Sequence, residues 1–374
     1  MVDTTIVEDE EQVGVEREAV DPALEIDRPF DPEKIKVRTE NRVVEQIVSR
    51  IAHKEIDLAP DFQRLRGVWN LTRQSRLIES LLLRIPLPVF YVAADHSENW
   101  AVVDGLQRMS TMDDFVAGRF TLSNLEYLTQ FDGLGYKDLP RPMQRRINET
   151  QLLIHVIDPG TPEEVMFNIF SRINTGGVRL NGQEIRHALH KGPVRAFLKD
   201  LADTKAFLIA TDGTVNKERM ADRECALRFL AFMIDPWQKY STNDLDGFLG
   251  SAMTKLNGLK QSQRMDLKRS FEKAMNAAHN IFENDAFRKR YAEGDSRNPV
   301  SKALFEAWSV QLARCQDGKI QRLVNQKKNV KTAFIDLIKN DREFDAAVSY
   351  STGVPQRVEK RFRAISQLIN TVSP

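Results

Sequence analysis

The sequence predicts an α+β front part followed by an all-α back part. Strand-like runs, Pro88–Val92, Trp100–Val103 and Leu152–Ile157, are confined to the front. From about Val194 onward apolar residues recur at helical spacing and strand signals nearly vanish, as in Arg223–Met233, Met265–Phe282, Lys302–Ala313 and Lys331–Ile338. A chain of 374 residues exceeds one typical domain, and a hydrophobic share of 41% supports sizeable cores. The expected organisation is an acidic, flexible segment over 1–38, an α+β domain over 39–200 and a helical domain over 201–374.

In chain order, Arg42–Ile51 reads as the first helix and Ile56–Leu58 as a short strand. Thr72 is a cap for a helix carrying Leu77, Ile78, Leu81 and Leu82, which Pro86 stops. Pro88–Val92 and Trp100–Val103 are two strands joined by a turn over Asp95–Asn99, and both lead toward an Asp-Gly corner. There Gly105 permits a tight turn, and Leu106, Met109 and Val116 then recur at helical spacing. Leu152–Ile157 is a continuous apolar strand of the kind found inside a sheet, with His155 expected as a core residue that finds a hydrogen-bond partner. Thr161-Pro-Glu-Glu164 and Asn181-Gly-Gln-Glu184 both open helices as capping boxes, and the first helix ends at Asn174–Gly177.

The Asp-Gly corner concentrates chemistry. A helix starting at Leu106 presents free backbone N–H groups beside the carboxylate of Asp104 and the guanidinium of Arg108. The N–H groups and Arg108 can hold an anion, and Asp104 a magnesium ion or a water, which is how a triphosphate is gripped. An Asp–Arg pair that only locks the strand–helix corner fits the same residues. Three further polar clusters accompany it: Gln63 and Arg64 after the short strand, Arg172 with the Asn174-Thr175-Gly176-Gly177 loop, and Glu184 with Arg186. Alone, a glycine pair is a helix stop and Glu184 a cap. Together, two arginines and a glycine loop are parts a triphosphate site requires.

These clusters carry a resemblance. The run Pro60-x-Phe62-Gln63-Arg64, then Leu77-Ile78-Glu79-Ser80 with Ile85-Pro86-x-Pro88, then Val103-Asp104-Gly105-Leu106-Gln107-Arg108-x-Ser110-Thr111, then Ile169-Phe170-x-Arg172-Ile173-Asn174-Thr175-Gly176-Gly177 with Gln183-Glu184-Ile185-Arg186, resembles the N-terminal domain of GmrSD-type modification-dependent restriction endonucleases. The motifs span roughly residues 40–200 in strict order. The resemblance implies a ParB/sulfiredoxin-like fold and a nucleotide-binding domain of a prokaryotic defence system, working in the cytoplasm. It carries NTP binding and hydrolysis onto Asp104, Gly105, Gln107 and Arg108. Where the family most often has a second Gln this chain has Leu106, the first apolar residue of the helix. No counterpart of the larger members' HNH nuclease domain is expected within these residues, since the last 95 contain no His.

The resulting expectation is a component that binds an NTP with Mg2+ and hydrolyses it, coupling nucleotide state to DNA or to a separate nuclease or other defence protein. Asp104, Gln107 and Arg108 would be catalytic. Gln63, Arg64, Gly105, Ser110, Thr111, Arg172, Asn174, Thr175, Gly176 and Gly177 would bind the nucleotide. The alternatives are a ParB-like DNA-binding or nuclease module that needs no nucleotide, and a non-enzymatic adaptor.

Charge and cysteine use narrow the partners. Residues 1–35 hold 12 acidic and three basic side chains, leaving 51 basic and 41 acidic groups in the remainder. Such a tail is either simply solvated or shields an anion-binding surface. Three basic clusters, at Arg141/Arg145/Arg146, at Lys319/Arg322/Lys327/Lys328/Lys331 and at Arg357/Lys360/Arg361/Arg363, are either solvated faces or tracks for a phosphate backbone. Cys225 and Cys315 lie far apart and read as reduced thiols, no paired-cysteine zinc motif occurs, and no apolar run spans a bilayer.

Overall fold

The computed structural model describes residues 14–16, 36–58, 69–161, 165, 166, 169 and 181–373, without 218 and 293. The chain divides into Phe30–Leu189 and a second unit made of Met1–Pro29 with His190–Pro374. The boundary expected at 200/201 would cut a helix, Pro193–Ala202, whose Val194, Leu198 and Leu201 are fully buried in the helical core. The division therefore falls before it.

The first unit contains β1 (Val37–Val43), α1 (Val44–Ala52), β2 (Ile56–Asp57), α2 (Leu71–Leu82), β3 (Phe90–Ala94), β4 (Trp100–Asp104), α3 (Leu106–Val116), α4 (Arg141–Asn148), β5 (Gln151–Ile157) and α5 (Gly182–Leu189). Its five strands form one mixed sheet in the order β1-β5-β3-β4-β2. β1 pairs antiparallel with β5, β5 parallel with β3, β3 antiparallel with β4 and β4 parallel with β2. Alternate residues of the inner strands, Leu152, Ile154, Val156, Phe90, Val92, Trp100 and Val102, share one core with Val44 and Ile47 of α1, Ile78 and Leu81 of α2, and Met109, Met112 and Phe115 of α3. The opposite face is covered too. Ala93, Val103 and Ile157 are buried, and α5 packs along β4.

β1 is absent from the sequence-based expectation. It alternates exposed Val37, Thr39 and Asn41 with an ion-paired row in which Arg38 and Arg42 flank Glu40. An edge strand with charges on one face carries no apolar period to read, and charges suit an edge. His155 lies opposite Thr39, whose hydroxyl is 2.9 Å from its Nδ1, and its ring centroid is 5.1 Å from that of Tyr91. The cap of α2 is Asn70, which accepts from Arg73 N–H at 2.9 Å, rather than Thr72. Glu79 of α2 is buried and accepts the backbone N–H groups of Glu126, Tyr127 and Leu128 at 3.1, 2.7 and 2.8 Å. Burial alone would raise its carboxyl, but the three N–H groups and Arg76 outweigh it and hold it below the usual range. That anchor fixes the turn-rich stretch between α3 and α4.

The described helices of the second unit are α6 (Pro193–Ala202), α7 (Lys205–Ala210), α8 (Ala221–Ile234), α9 (Leu245–Asn257), α10 (Gln261–Phe282), α11 (Lys302–Arg314), α12 (Asp317–Asn325), α13 (Lys327–Asn340), α14 (Arg342–Ser349) and α15 (Pro355–Val372). The architecture is therefore α+β followed by a largely helical part. α8 is buried on nearly all sides, its Phe229 meeting Phe271 of α10 at 5.1 Å between ring centroids. Cys225 is buried there and Cys315 half-buried, both as free thiols.

Asp222 enters the first turn of α8 almost fully buried, and its carboxylate accepts Arg223 N–H at 2.7 Å. Burial pushes it from 3.8 up to about 6, against the pull of that N–H and of Arg223. The folded state thus binds the proton more tightly than the unfolded one. Stability from that preference is complete below about pH 4 and is lost as pH rises through about 6. Asp222→Asn is expected to gain on the order of 2 kcal/mol at pH 7.5 and little at pH 4. Urea denaturation at both pH values checks this, and equal effects at the two would overturn it.

Candidate functional site

β4 ends at Asp104, and α3 begins two residues later. Gly105 between them is in the left-handed region at φ 93° and serves as the N-cap of α3. A Cβ at this position would lie 2.3 Å from Phe90 Cδ1, so both conformation and space require glycine. No side chain caps α3, and its first intrahelical bond runs from Met109 N–H to Gly105 O at 2.9 Å. The N–H groups of the first turn therefore have no carbonyl of their own helix to meet.

Arg108 reaches back across this corner. Its Nη2 donates to Asp104 Oδ2 at 2.9 Å and to Val89 O at 3.2 Å, and its Nη1 donates to Pro88 O. The guanidinium lies over the Phe90 ring, 4.2 Å from the centroid. Burial pushes its pKa down, and the Asp104 charge opposes that shift. The Asp104 side chain keeps 29% of its surface exposed against 12% for Arg108. Among the described residues only Arg108 bonds the Asp104 carboxylate, leaving Oδ1 open. Gln107 accepts Trp69 N–H through Oε1 at a long 3.5 Å. Thr111 is buried and its hydroxyl donates to Gln107 O at 2.7 Å, while Ser110 is half-buried on the same turn.

Asp104, Gly105, Gln107 and Arg108 are thus gathered at one point. Gln63, Arg64, Arg172, Asn174, Thr175, Gly176 and Gly177 lie outside the described residues, as does the capping box at Glu164. The second box is formed: Asn181 Oδ1 accepts Glu184 N–H at 2.9 Å and Glu184 Oε2 accepts Asn181 N–H at 2.7 Å. Sequence reasoning missed Phe90 and the carbonyls of Pro88 and Val89. The antiparallel pairing that sets Tyr91 opposite Asp104 places them there. Two strands converging on one corner were the available signal.

Several expected basic features are already engaged. Arg146 donates to Leu82 O at 2.8 Å and closes the end of α2. Arg361 is fully buried, Lys360 pairs with Asp341 and Glu343, and Arg363 pairs with Glu359. The spacing of charges along a helix does not reveal which of them face inward. Lys327 and Lys331 share the Glu283 carboxylate and pull it down to about 2. Among the described residues no group of three His, Cys, Asp or Glu could hold a metal ion, and no helix is long and apolar enough to cross a membrane.

Residues 44–191 match the family model of the GmrSD restriction endonuclease, N-terminal domain, in agreement with the motif resemblance. The matched stretch contains the whole β4–α3 corner and ends just after α5. No curated protein and no solved structure matches the chain.

Proposed function

We propose, from the premise that residues 44–191 carry a domain of the restriction-endonuclease N-terminal kind, that the β4–α3 corner binds a nucleoside triphosphate and hydrolyses it within a restriction or defence system. The observation that carries this reading is the juxtaposition of an uncapped helix start, a glycine that admits no side chain, a fixed guanidinium and a carboxylate with one open oxygen. Phosphate oxygens would meet the N–H groups of Leu106 and Gln107, with Arg108 held in place by Pro88 and Val89 to neutralise them. Magnesium commonly takes one or two protein carboxylates and fills its octahedron with phosphate oxygens and water. Asp104, whose Oδ1 no described residue bonds, suits such a single-carboxylate role. Gln107 is the second residue of α3, where its amide would orient the attacking water. DNA or a separate nuclease would be the partner that responds to nucleotide state.

A second reading rests on one specific observation. Arg108 already spends donors on Asp104, Val89 and Pro88, as a lock that only joins β3, β4 and α3 would.

Titration of the full chain with each of the four ribonucleoside triphosphates and magnesium, with phosphate release followed alongside, tests the proposal. Saturable binding and release are expected. Asp104→Asn, close in shape to the native side chain, is expected to cut release at least about 100-fold while leaving nucleotide affinity within a few-fold, the scale of a lost metal-positioning group. No binding of any of the four nucleotides overturns the triphosphate reading.

A further inference from the structure

The sheet face turned away from the core of α1, α2 and α3 is covered unevenly. Tyr91 and His155 alternate along β3 and β5 with Phe90, Val92, Ile154 and Val156 of that core, so they stand on the opposite face. Where β5 finishes, Ile157 and its register partner Ala93 are buried, and that end of the face is purely aliphatic. Toward the start of β5 the face opens. Tyr91 and His155 are half-buried, Thr39 and Asn41 are exposed, and Leu153 keeps 40% of its surface exposed. The open end is also where β4 reaches Asp104, because β4 runs antiparallel to β3.

Strand register lines the open residues up with the β4–α3 corner. Thr39 lies opposite His155, His155 opposite Tyr91, and Tyr91 opposite Asp104. The pairing of β3 with β4 shifts between Tyr91 and Val92, so β4 spends an extra residue there and Asp104, rather than Val103, meets Tyr91. One row therefore crosses four strands and ends at the carboxylate proposed to hold magnesium. With about 4.8 Å between neighbouring strands, the backbone of Tyr91 lies one spacing from that of Asp104 and the backbone of His155 two, or about 10 Å. A ribose and base attached to phosphates at the corner reach over this interval.

The row has the chemistry of a stacking surface. The Tyr91 and His155 ring centroids are 5.1 Å apart with the planes tilted by 50°. Leu153, two residues before His155 on the same face of β5, extends the apolar ground. Thr39 Oγ1 lies 2.9 Å from His155 Nδ1 and fixes that ring. Among the described residues nothing hydrogen-bonds Tyr91 Oη, His155 Nε2 or the Asn41 amide, so the aromatic floor keeps unused polar groups at its margin.

We propose that the Tyr91–His155 ring pair is the nucleobase subsite of the β4–α3 corner. The base stacks on the two rings beside Leu153, and the Tyr91 hydroxyl and His155 Nε2 meet its polar edge. This subsite presupposes the triphosphate reading and deepens it. Stacking is tolerant of base identity because every base has a π-face, so preference among bases falls to the two polar atoms. Thr39 is a positioning residue that acts through the His155 ring.

The test compares the full chain with Tyr91→Leu and His155→Leu, each of which keeps an apolar side chain and loses the ring. Affinity is measured with magnesium for the tightest-binding of the four ribonucleoside triphosphates and for inorganic tripolyphosphate, which carries the charge without a base. The native chain is expected to bind the nucleotide at least about 10-fold more tightly than tripolyphosphate. Each variant is expected to lose at least about 10-fold for the nucleotide and to hold tripolyphosphate within about two-fold. Thr39→Val is expected to cost a few-fold in the same nucleotide-only pattern. Unchanged nucleotide affinity in both leucine variants, or an equal loss for both ligands, overturns the subsite and leaves the triphosphate reading standing. So does a native chain that binds tripolyphosphate as tightly as the nucleotide. Binding of neither ligand by the native chain overturns the triphosphate reading and the subsite with it. If thermal melting shows Tyr91→Leu unfolded at the assay temperature, His155→Leu decides.

Discussion

Glu306→Gln is expected to cost the helical unit about 3–5 kcal/mol of unfolding free energy. Glu306 of α11 is fully buried, and its carboxylate joins two buried arginines from two other helices. Arg361 of α15 donates from Nε to Oε1 at 2.9 Å and also from Nη2, and Arg228 of α8 donates to Oε2 at 3.3 Å. The network continues outward from Arg228 to Glu224 at 3.0 Å and from Glu224 to Lys302 at 3.0 Å. Arg361 further donates to Thr352 O at 2.7 Å and Ala347 O at 3.3 Å, so the same guanidinium holds the turn between α14 and α15. Removing the Glu306 charge takes from the buried Arg361 the carboxylate it donates to and leaves Arg228 its bond to Glu224.

A neutral amide of the same shape preserves packing, so the loss reports the uncompensated charge rather than a cavity. Replacing the three partners together, as Glu306→Leu, Arg228→Met and Arg361→Leu, is expected to cost far less than Glu306→Gln alone. Denaturant unfolding followed by fluorescence of Trp308, which lies on the same helix and is buried, measures both. A loss below about 1 kcal/mol for Glu306→Gln would mean that water reaches the network and screens it.

The same residues show why parts of the fold were legible and others were not. The β4–α3 corner could be read because three local signals agree: an apolar strand, a glycine after an aspartate, and a helical apolar period from Leu106. The capping box at Asn181 is legible for the same reason, since both partners lie within four residues. β1 escaped because its stabilising contacts are with β5, more than a hundred residues later, and its own alternation is between charged and small polar side chains. The buried charges of α8 and α15 escaped because a guanidinium facing inward looks, in sequence, like one facing solvent. The bridge of Val15 to Val300 escaped because it joins residues 285 positions apart and no local period marks it. At the candidate site, Asp104 and Arg108 followed from helical spacing, whereas Phe90 and the carbonyls of Pro88 and Val89 required strand pairing.

Arg108→Ala separates the two roles that geometry allows this arginine. As a lock it supplies bonds to Asp104, Val89 O and Pro88 O and covers the Phe90 ring, so its loss is expected to lower the stability of the first unit by about 2–4 kcal/mol. As a phosphate ligand it supplies a charge-assisted contact to the triphosphate, whose loss is expected to weaken binding at least about 100-fold, or about 2.7 kcal/mol. The effects are distinguished by measuring affinity at a temperature where thermal melting shows the variant still folded. Arg108→Lys sharpens the comparison, because it keeps the positive charge but lacks the planar fork that spans two carbonyls and a carboxylate. A triphosphate ligand predicts partial recovery of affinity with Lys and little recovery of stability. If the folded Arg108→Ala chain binds nucleotide as tightly as the native one, Arg108 is a lock alone, and the uncapped start of α3 with Asp104 must hold the phosphates without it.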